Sequence, residues 1–423
     1  MPCALYREAP MWIIAMAFRN IRRNRRRTLL AVSSITLSVM LMSFMYGLAN
    51  GVLQNLVKNI TKNESGHIRI TTRGFDERAR FMPLDELVLD PEELLSRLRE
   101  DAILSQEIQY IAPRITFGTL LSSGPTTVAA MGIAGDAKVE QYLLNLDRSI
   151  VQGRYLGGNR EVILGYQLAE KLGLSVGDTL RILTQGADSS LRLRNFTIVG
   201  LFKTGLTQMD RTFFQIPLED AREFLRTGGG VQQILIMLRD YTRAPEIARR
   251  VAQLVAPVQT DLLVKPWTEI GDYPRLIKMM ETIYGVIYWV IAFLGALIIS
   301  NILMMVVLER RREIGILKAM GLKKREILAL FISEGLAMGI VGSGIGALLG
   351  LGICYLFSIV GIDYTSAMSG LTFPMDPIFY TVVSIPGSLM MFGIGVLVSL
   401  LVSYLPSRRA AQLDPVIAIR SVI

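Results

Sequence analysis

The segment of this 423-residue sequence whose residue types and spacing most clearly announce a task is Glu309-Arg310-Arg311-Arg312-Glu313-Ile314-Gly315-Ile316-Leu317-Lys318-Ala319-Met320-Gly321. Ile314, Leu317 and Met320 recur at helical spacing, charges of both signs flank them, and a glycine of the kind that ends helices closes the run. A short amphipathic helix of this kind lies against a membrane or seats in a partner's groove, and the residues alone leave both open. Either task is docking, with no bond made or broken. Elsewhere the ingredients of catalysis are missing. A nucleotide-binding P-loop needs a Gly-Lys pair, and no such dipeptide occurs. Asp, Glu and Ser are plentiful, but nothing marks a subset of them as convergent. The single histidine, His67, argues against a His-based metal site. Cys3 and Cys354 sit at the amino terminus and inside an apolar stretch, so residues 49–281 have no thiol with which to build a disulfide. The expectation is a chain that is not an enzyme and holds no metal and no cofactor of its own.

What must position the docking segment is a membrane protein. Hydrophobic residues make up 51% of the chain, charged ones only 19%, and the mean hydropathy is +0.41. Four stretches are long and apolar enough to cross a bilayer as helices: 28–48, 282–308, 327–360 and 378–405. The mixed segment 49–281 between the first two reads as a folded domain flanked by stalks. Val52, Leu53, Leu56, Val57 and Ile60 share a helical face that carries the first span onward, and Pro274 precedes a second stalk leading into span two. Arginines crowd residues 1–27, Lys and Arg crowd 309–326, Arg408, Arg409 and Arg420 lie in 406–423, and the short loop 361–377 has neither. Short loops rich in Lys and Arg stay in the cytoplasm, so both termini are expected inside and 49–281 outside. Met11, Ile14, Phe18 and Ile21 describe a basic amphipathic helix in the inner headgroup layer. Anionic membrane lipid thus accounts for the net charge of +9, and no basic patch interleaved with aromatics points to nucleic acid.

Within 49–281, alternating segments predict strands over 67–72, 114–121, 126–133, 161–164, 178–183, 193–201 and 231–238. Helices are predicted from Asp90-Pro91 onward and over 166–172, 218–225 and 244–255. Strands and helices mix without strict alternation, which favours an α+β domain. In span three, Gly342, Gly346 and Gly350 recur every fourth residue, a small-residue stripe for close helix packing within the bundle or against a second subunit. Pro386-Gly387 predicts a kink in span four. Glu334 is the one charged residue inside any span and lies about two turns from Arg325, so it reads as an inter-helix or helix-end contact. Spans this apolar exclude a polar conduit.

With these residues in view, the chain resembles the FtsX/MacB-type ABC permeases. Glu309, Arg311, Glu313, Ile314, Gly315, Lys318 and Gly321 match the family's loop motif, and the likeness extends to Glu334-Gly335, the glycines of span three and Tyr404-Leu405-Pro406-Ser407-Arg408-Arg409-Ala410-Ala411. The resemblance implies a membrane α-helical fold of four transmembrane helices with a large extracytoplasmic α+β domain, a MacB-like periplasmic core, between helices 1 and 2. It implies a second permease subunit, identical or homologous, and two copies of a separate ATPase that holds the ATP and Mg and seats Glu309 to Gly321 as a coupling helix. Within the family, segments such as Val162-Ile163-Leu164-Gly165-Tyr166-Gln167-Leu168-Ala169 look most like the LolC/LolE branch, which implies lipoprotein release from the bacterial inner membrane. Acyl chains would then lie near Met40, Phe44, Met45, Leu48, Ile283, Ile287 and Ile291 of facing subunits, where methionines give an adaptable surface. Segment 184–194 departs from that branch: it is short, polar and without proline, which leaves docking of a periplasmic carrier open. An FtsX-like regulator of a cell-wall hydrolase and a MacB-like exporter subunit are the alternatives.

Overall fold

The computed structural model describes residues 25–412 except 206 and 364–377. The amphipathic helix expected near Met11 to Ile21, the loop after Asp363 and the end of the tail lie outside the described residues. The chain forms two compact units, one holding the long apolar helices and one comprising Gln54–Ile277.

Helix α1 (Arg25–Ile60) runs without a break through the first apolar stretch into the amphipathic turns beyond it, where Leu56, Val57 and Ile60 are buried. A π-helical turn, Thr61–Ser65, ends it, and Gly66 reverses the chain at φ +64°, a conformation that favours glycine. The inserted domain follows as β1 (Ile68–Thr72), α2 (Arg73–Glu77), α3 (Pro91–Glu100), α4 (Leu104–Glu107), β2 (Ile108–Ser123), β3 (Thr126–Gly135), α5 (Ala137–Leu144), β4 (Ile150–Gly153), β5 (Glu161–Gly165) and α6 (Tyr166–Leu172). It continues through β6 (Thr179–Gln185), β7 (Leu191–Phe202), α7 (Thr207–Thr212), β8 (Phe213–Pro217), α8 (Leu218–Leu225), β9 (Gln233–Leu238), α9 (Ala244–Val255) and β10 (Leu262–Pro266). The remaining helices are α10 (Tyr273–Glu309), α11 (Arg311–Ala319), α12 (Lys324–Val360) and α13 (Ile385–Gln412), with the short strands β11 (Ile362–Asp363) and β12 (Ile378–Phe379) between the last two.

The inserted domain is built on one mixed sheet in the order β10-β1-β9-β2-β3-β8-β5-β7-β4, with β6 joined to β2 and β7. Two cores lie against it. Strand β9 is buried throughout and serves both: Ile234, Ile236 and Leu238 enter the larger, Leu235 and Met237 the smaller, as the two-residue period of a strand requires. Helices α3, α8 and α9 cover the larger core with Leu94, Leu98, Phe224, Ile247 and Val251. Three strands were not foreseen, β4, β8 and β10. Each has only four or five residues, and β8 and β10 end in Pro, a residue that reads as a loop signal. Segment 184–194 is the tip of the β6–β7 hairpin, whose last pair is Gln185 with Leu191.

The four apolar helices are present, with one correction to their boundaries. Helix α13 begins at Ile385, not at 378, and Pro386 sits in its first turn, where a missing N–H costs nothing. Pro386-Gly387 therefore starts the helix and does not kink it. Residues 378–379 instead pair with 362–363 as an antiparallel ribbon. The bundle core gathers Ile35, Val39 and Met42 of α1, Ala292, Ile299 and Leu303 of α10, Met338 and Ala347 of α12 and Met391 of α13.

His67 precedes β1, and its Nδ1 accepts a hydrogen bond from the Leu238 amide at 2.9 Å. Burial pushes its pKa from 6.5 down to about 4. The folded ring is thus neutral at pH 7, whereas the unfolded chain takes up a proton below about pH 6.5. This contribution to stability is complete above that pH and is lost as pH falls toward 4. Between pH 7.5 and 5 the expected loss is about 2 kcal/mol, roughly thirtyfold in an opening equilibrium. Hydrogen exchange of the β1 and β9 amides, corrected for intrinsic rate, measures it. His67→Asn, whose Oδ1 accepts the same bond, is expected to flatten the pH dependence.

Candidate functional site

The segment from Glu309 to Gly321 forms a short helix packed at the ends of three others. Helix α10 stops at Glu309, a single residue, Arg310, turns the chain, and α11 starts at Arg311. The far end closes with a Schellman motif: the Gly321 amide donates to the Lys318 carbonyl at 3.0 Å and the Leu322 amide to the Leu317 carbonyl at 3.2 Å. Gly321 takes φ +98° to do this. Two residues later the Lys323 amide donates to the Glu326 carboxylate at 2.8 Å, which caps the start of α12.

Ile314 and Gly315 are buried, and Ile314 joins a core of Val307, Ile327, Phe331, Ala410 and Ala411. The apolar residues of α11 therefore divide. Leu317 is half-buried, while Ile316 is 45% exposed and Met320, the residue that caps the helix, is 66% exposed, away from the buried Ile314. Glu309 and Glu313 are exposed, while Arg311 and Lys318 are half-buried. The arrangement offers an apolar and charged surface on one side of α11 and a seat on the bundle on the other.

Glu334 forms an ion pair with Arg310, Nη1 to Oε1 3.1 Å, and both side chains are less than a tenth exposed. Arg310 also lies 3.8 Å from Glu313. Sequence reasoning counted Arg310 only among the basic residues of the loop. Its signal was depth: it follows the last residue of α10 where α12 has climbed nearly three turns to Glu334, so the lone acid of the spans faces the first base of the loop.

Gly342, Gly346 and Gly350 of α12 lie against α1 of the same chain. A Cβ on Gly342 would stand 2.8 Å from that of Ile35, one on Gly346 2.6 Å from the Thr36 carbonyl oxygen, and one on Gly350 2.6 Å from Ser43 Cβ. The Thr36 hydroxyl donates to the Gly342 carbonyl at 3.1 Å, a bond available only at this close approach. On α13, Ser399, Ser403 and Ser407 each donate to the carbonyl one turn back, which satisfies these buried hydroxyls without a polar channel. Ile35, Ser38, Val39, Met42, Ala292, Gly295, Ile299, Gly395 and Val398 line a gap of about 10 Å³, at the lower limit of what a single water occupies.

The described residues assigned to an acyl-chain surface differ in their surroundings. Phe44 packs its ring 5.8 Å from Phe357 of α12, and the Met40 backbone is pressed against Gly346 and Gly350. Met45, Leu48 and Ile287 are half-buried, Ile291 packs on the bundle core, and Ile283 is exposed.

Residues 28–254 match the MacB-like periplasmic core domain, and residues 285–415 match the FtsX-like permease C-terminal domain. The chain belongs to the FtsX/MacB-type ABC permease family. This permease is similar to the lipoprotein-releasing system transmembrane protein LolC of Xylella fastidiosa, with 26% identity over 274 residues that cover 62% of this chain and 65% of that one. The permease thus spans slightly under two thirds of the length of that relative. It is 23% identical over 420 residues to an uncharacterized ABC transporter permease of Methanocaldococcus jannaschii, covering 96% of this chain and 97% of the other. With the macrolide export ATP-binding/permease protein MacB of Wolinella succinogenes it shares 23% identity over 424 residues, covering 96% of this permease and 60% of that protein.

Proposed function

We propose that this permease converts ATP hydrolysis by a separate ATPase, present in two copies, into movement of the inserted domain, and that the work extracts lipoproteins from a bacterial inner membrane for delivery outward. In this reading both termini face the cytoplasm and the inserted domain faces the periplasm. The permease works with a second permease subunit, and the ATP and Mg belong to the ATPase. One observation carries the reading: α11 is fixed to the bundle by Ile314 and by the Arg310–Glu334 pair next to it, while Ile316 and Met320 are exposed on its other side. A rigidly seated helix with an apolar outer face suits a partner's groove and hands any push to α10, α12 and α13 together.

Its test is to exchange Ile316 and Met320 together for Asp. The double variant is expected to insert and fold normally but to recover at least about tenfold less ATPase on purification, since two buried apolar anchors would become charged. Undiminished ATPase recovery would overturn the assignment of α11. Native mass spectrometry of the nucleotide-free assembly tests the cargo: acylated polypeptide beside two ATPase copies supports lipoprotein extraction, and an ATPase complex without it supports an exporter or a regulator. The LolC relatives support the lipoprotein reading; the short β6–β7 hairpin leaves carrier docking for the same experiment with a soluble carrier added.

A further inference from the structure

The end of α1 is tied to the inserted domain by a side chain that the docking site does not use. Arg114, in the middle of β2, is fully buried, and so is Glu140 of α5. The guanidinium meets the carboxylate with two parallel bonds, Nε to Oε1 2.8 Å and Nη2 to Oε2 2.6 Å. Its remaining donors turn toward the π-helical turn that ends α1: Nη1 donates to the Asn63 carbonyl at 2.6 Å and Nη2 reaches the Lys62 carbonyl at 3.5 Å. Carbonyls at a helix's last turn lack intrahelical partners and carry its partial negative charge. Arg114 supplies both donors and positive charge there, and Glu140 balances the charge inside the domain. The guanidinium fork makes all four bonds, two of them parallel to one carboxylate, whereas a lysine ammonium has only three donors and no fork. Gly135, at the end of β3, leaves room for this pair, since a Cβ there would fall on the Glu140 carboxylate.

We infer that Arg114 is a positioning residue that welds the last turn of the first stalk to the inserted domain, so that displacement of α1 moves the domain as one body. The inference deepens the function proposed above and rests on it: a stalk that met the domain only through a peptide hinge at Gly66 would lose its stroke in that hinge. The polar, π-helical character of the turn Thr61–Ser65 is what exposes carbonyls for Arg114 to hold.

The test uses the full permease with its ATPase in lipid bilayers. Spin labels at Lys58→Cys on α1 and Lys171→Cys on α6 of the inserted domain, both exposed, report the rigidity of the joint in a background with Cys3→Ser and Cys354→Ala. Arg114→Met combined with Glu140→Met leaves no unpaired buried charge yet removes the bonds to Asn63 and Lys62. The parent chain is expected to give one narrow distance, with or without ATP and vanadate. The double variant is expected to hydrolyse ATP at the parent rate, to broaden that distance about twofold, and to release at least about tenfold less of a fluorescent triacylated lipopeptide per ATP; Arg114→Lys should fall between. A narrow distance with unchanged release per ATP in the double variant would overturn the weld. Should that variant fail to fold, Arg114→Lys is read by the same two measures. If the parent itself releases no lipopeptide, the proposed function fails, while the distance width, which needs no cargo, still decides whether Arg114 holds the joint.

Discussion

Replacing Glu334 with Ala is expected to cost about 3 kcal/mol, because it leaves the Arg310 guanidinium, less than a tenth exposed, with only the exposed Glu313 carboxylate 3.8 Å away. The pair joins α12 to the one residue between α10 and α11, so the damage is expected to be directional. The helix α11 should loosen first, and stimulation of the ATPase should fall before the bundle melts. Thermal unfolding in detergent measures the stability, and ATPase activity of the reconstituted assembly measures the coupling. Replacing both partners by Met removes the stranded charge and is expected to recover most of the stability, since an apolar pair of similar volume is often as stable as a buried ion pair. If Glu334→Ala and the double Met variant melt alike, the interaction is not what holds α11.

The second large effect is expected at Gly346. Its Cβ position is 2.6 Å from a backbone oxygen of α1 and 2.9 Å from Val39 Cβ, and neither can swing aside as a flexible side chain does. Gly346→Leu must therefore part α1 from α12 along the stripe that Gly342 and Gly350 also serve, and with it the Thr36 bond to the Gly342 carbonyl. The expected cost is about 3 kcal/mol or more, the upper range of overpacking. Gly352→Leu is the control: nothing lies within 4 Å of a Cβ there, and it is expected to be within about 0.5 kcal/mol of neutral. Equal melting temperatures for the two variants would show that the close approach of α1 and α12 does not matter to stability.

Both effects turn on features of unequal visibility in the sequence. The long helices were legible because a bilayer accepts only backbone that bonds to itself, which forces long unbroken apolar runs. In the inserted domain Tyr166–Leu172, Leu218–Leu225 and Ala244–Val255 were legible as helices from local periodicity and, for the last, from Pro245 in its first turn. The strand Phe213–Pro217 was not. Five residues that end in proline resemble a loop until β3 on one side and β5 on the other supply their hydrogen bonds.

Local chemistry determined the four long apolar stretches, the short helix Arg311–Ala319 with its glycine cap, and the spacing of the Gly342 stripe, since each depends on residues within a few turns of one another. Tertiary structure alone decided the partners. Nothing in Arg310-Arg311-Arg312 says which arginine turns inward, and Arg114 looks like any charged residue of a strand. Arg310 meets Glu334 across 24 positions and Arg114 meets Glu140 across 26, because folding removes water from those sites and a buried charge must then find its complement within reach. Burial is a property of the assembled fold, so these pairs became visible only once the helices and sheet stood in place.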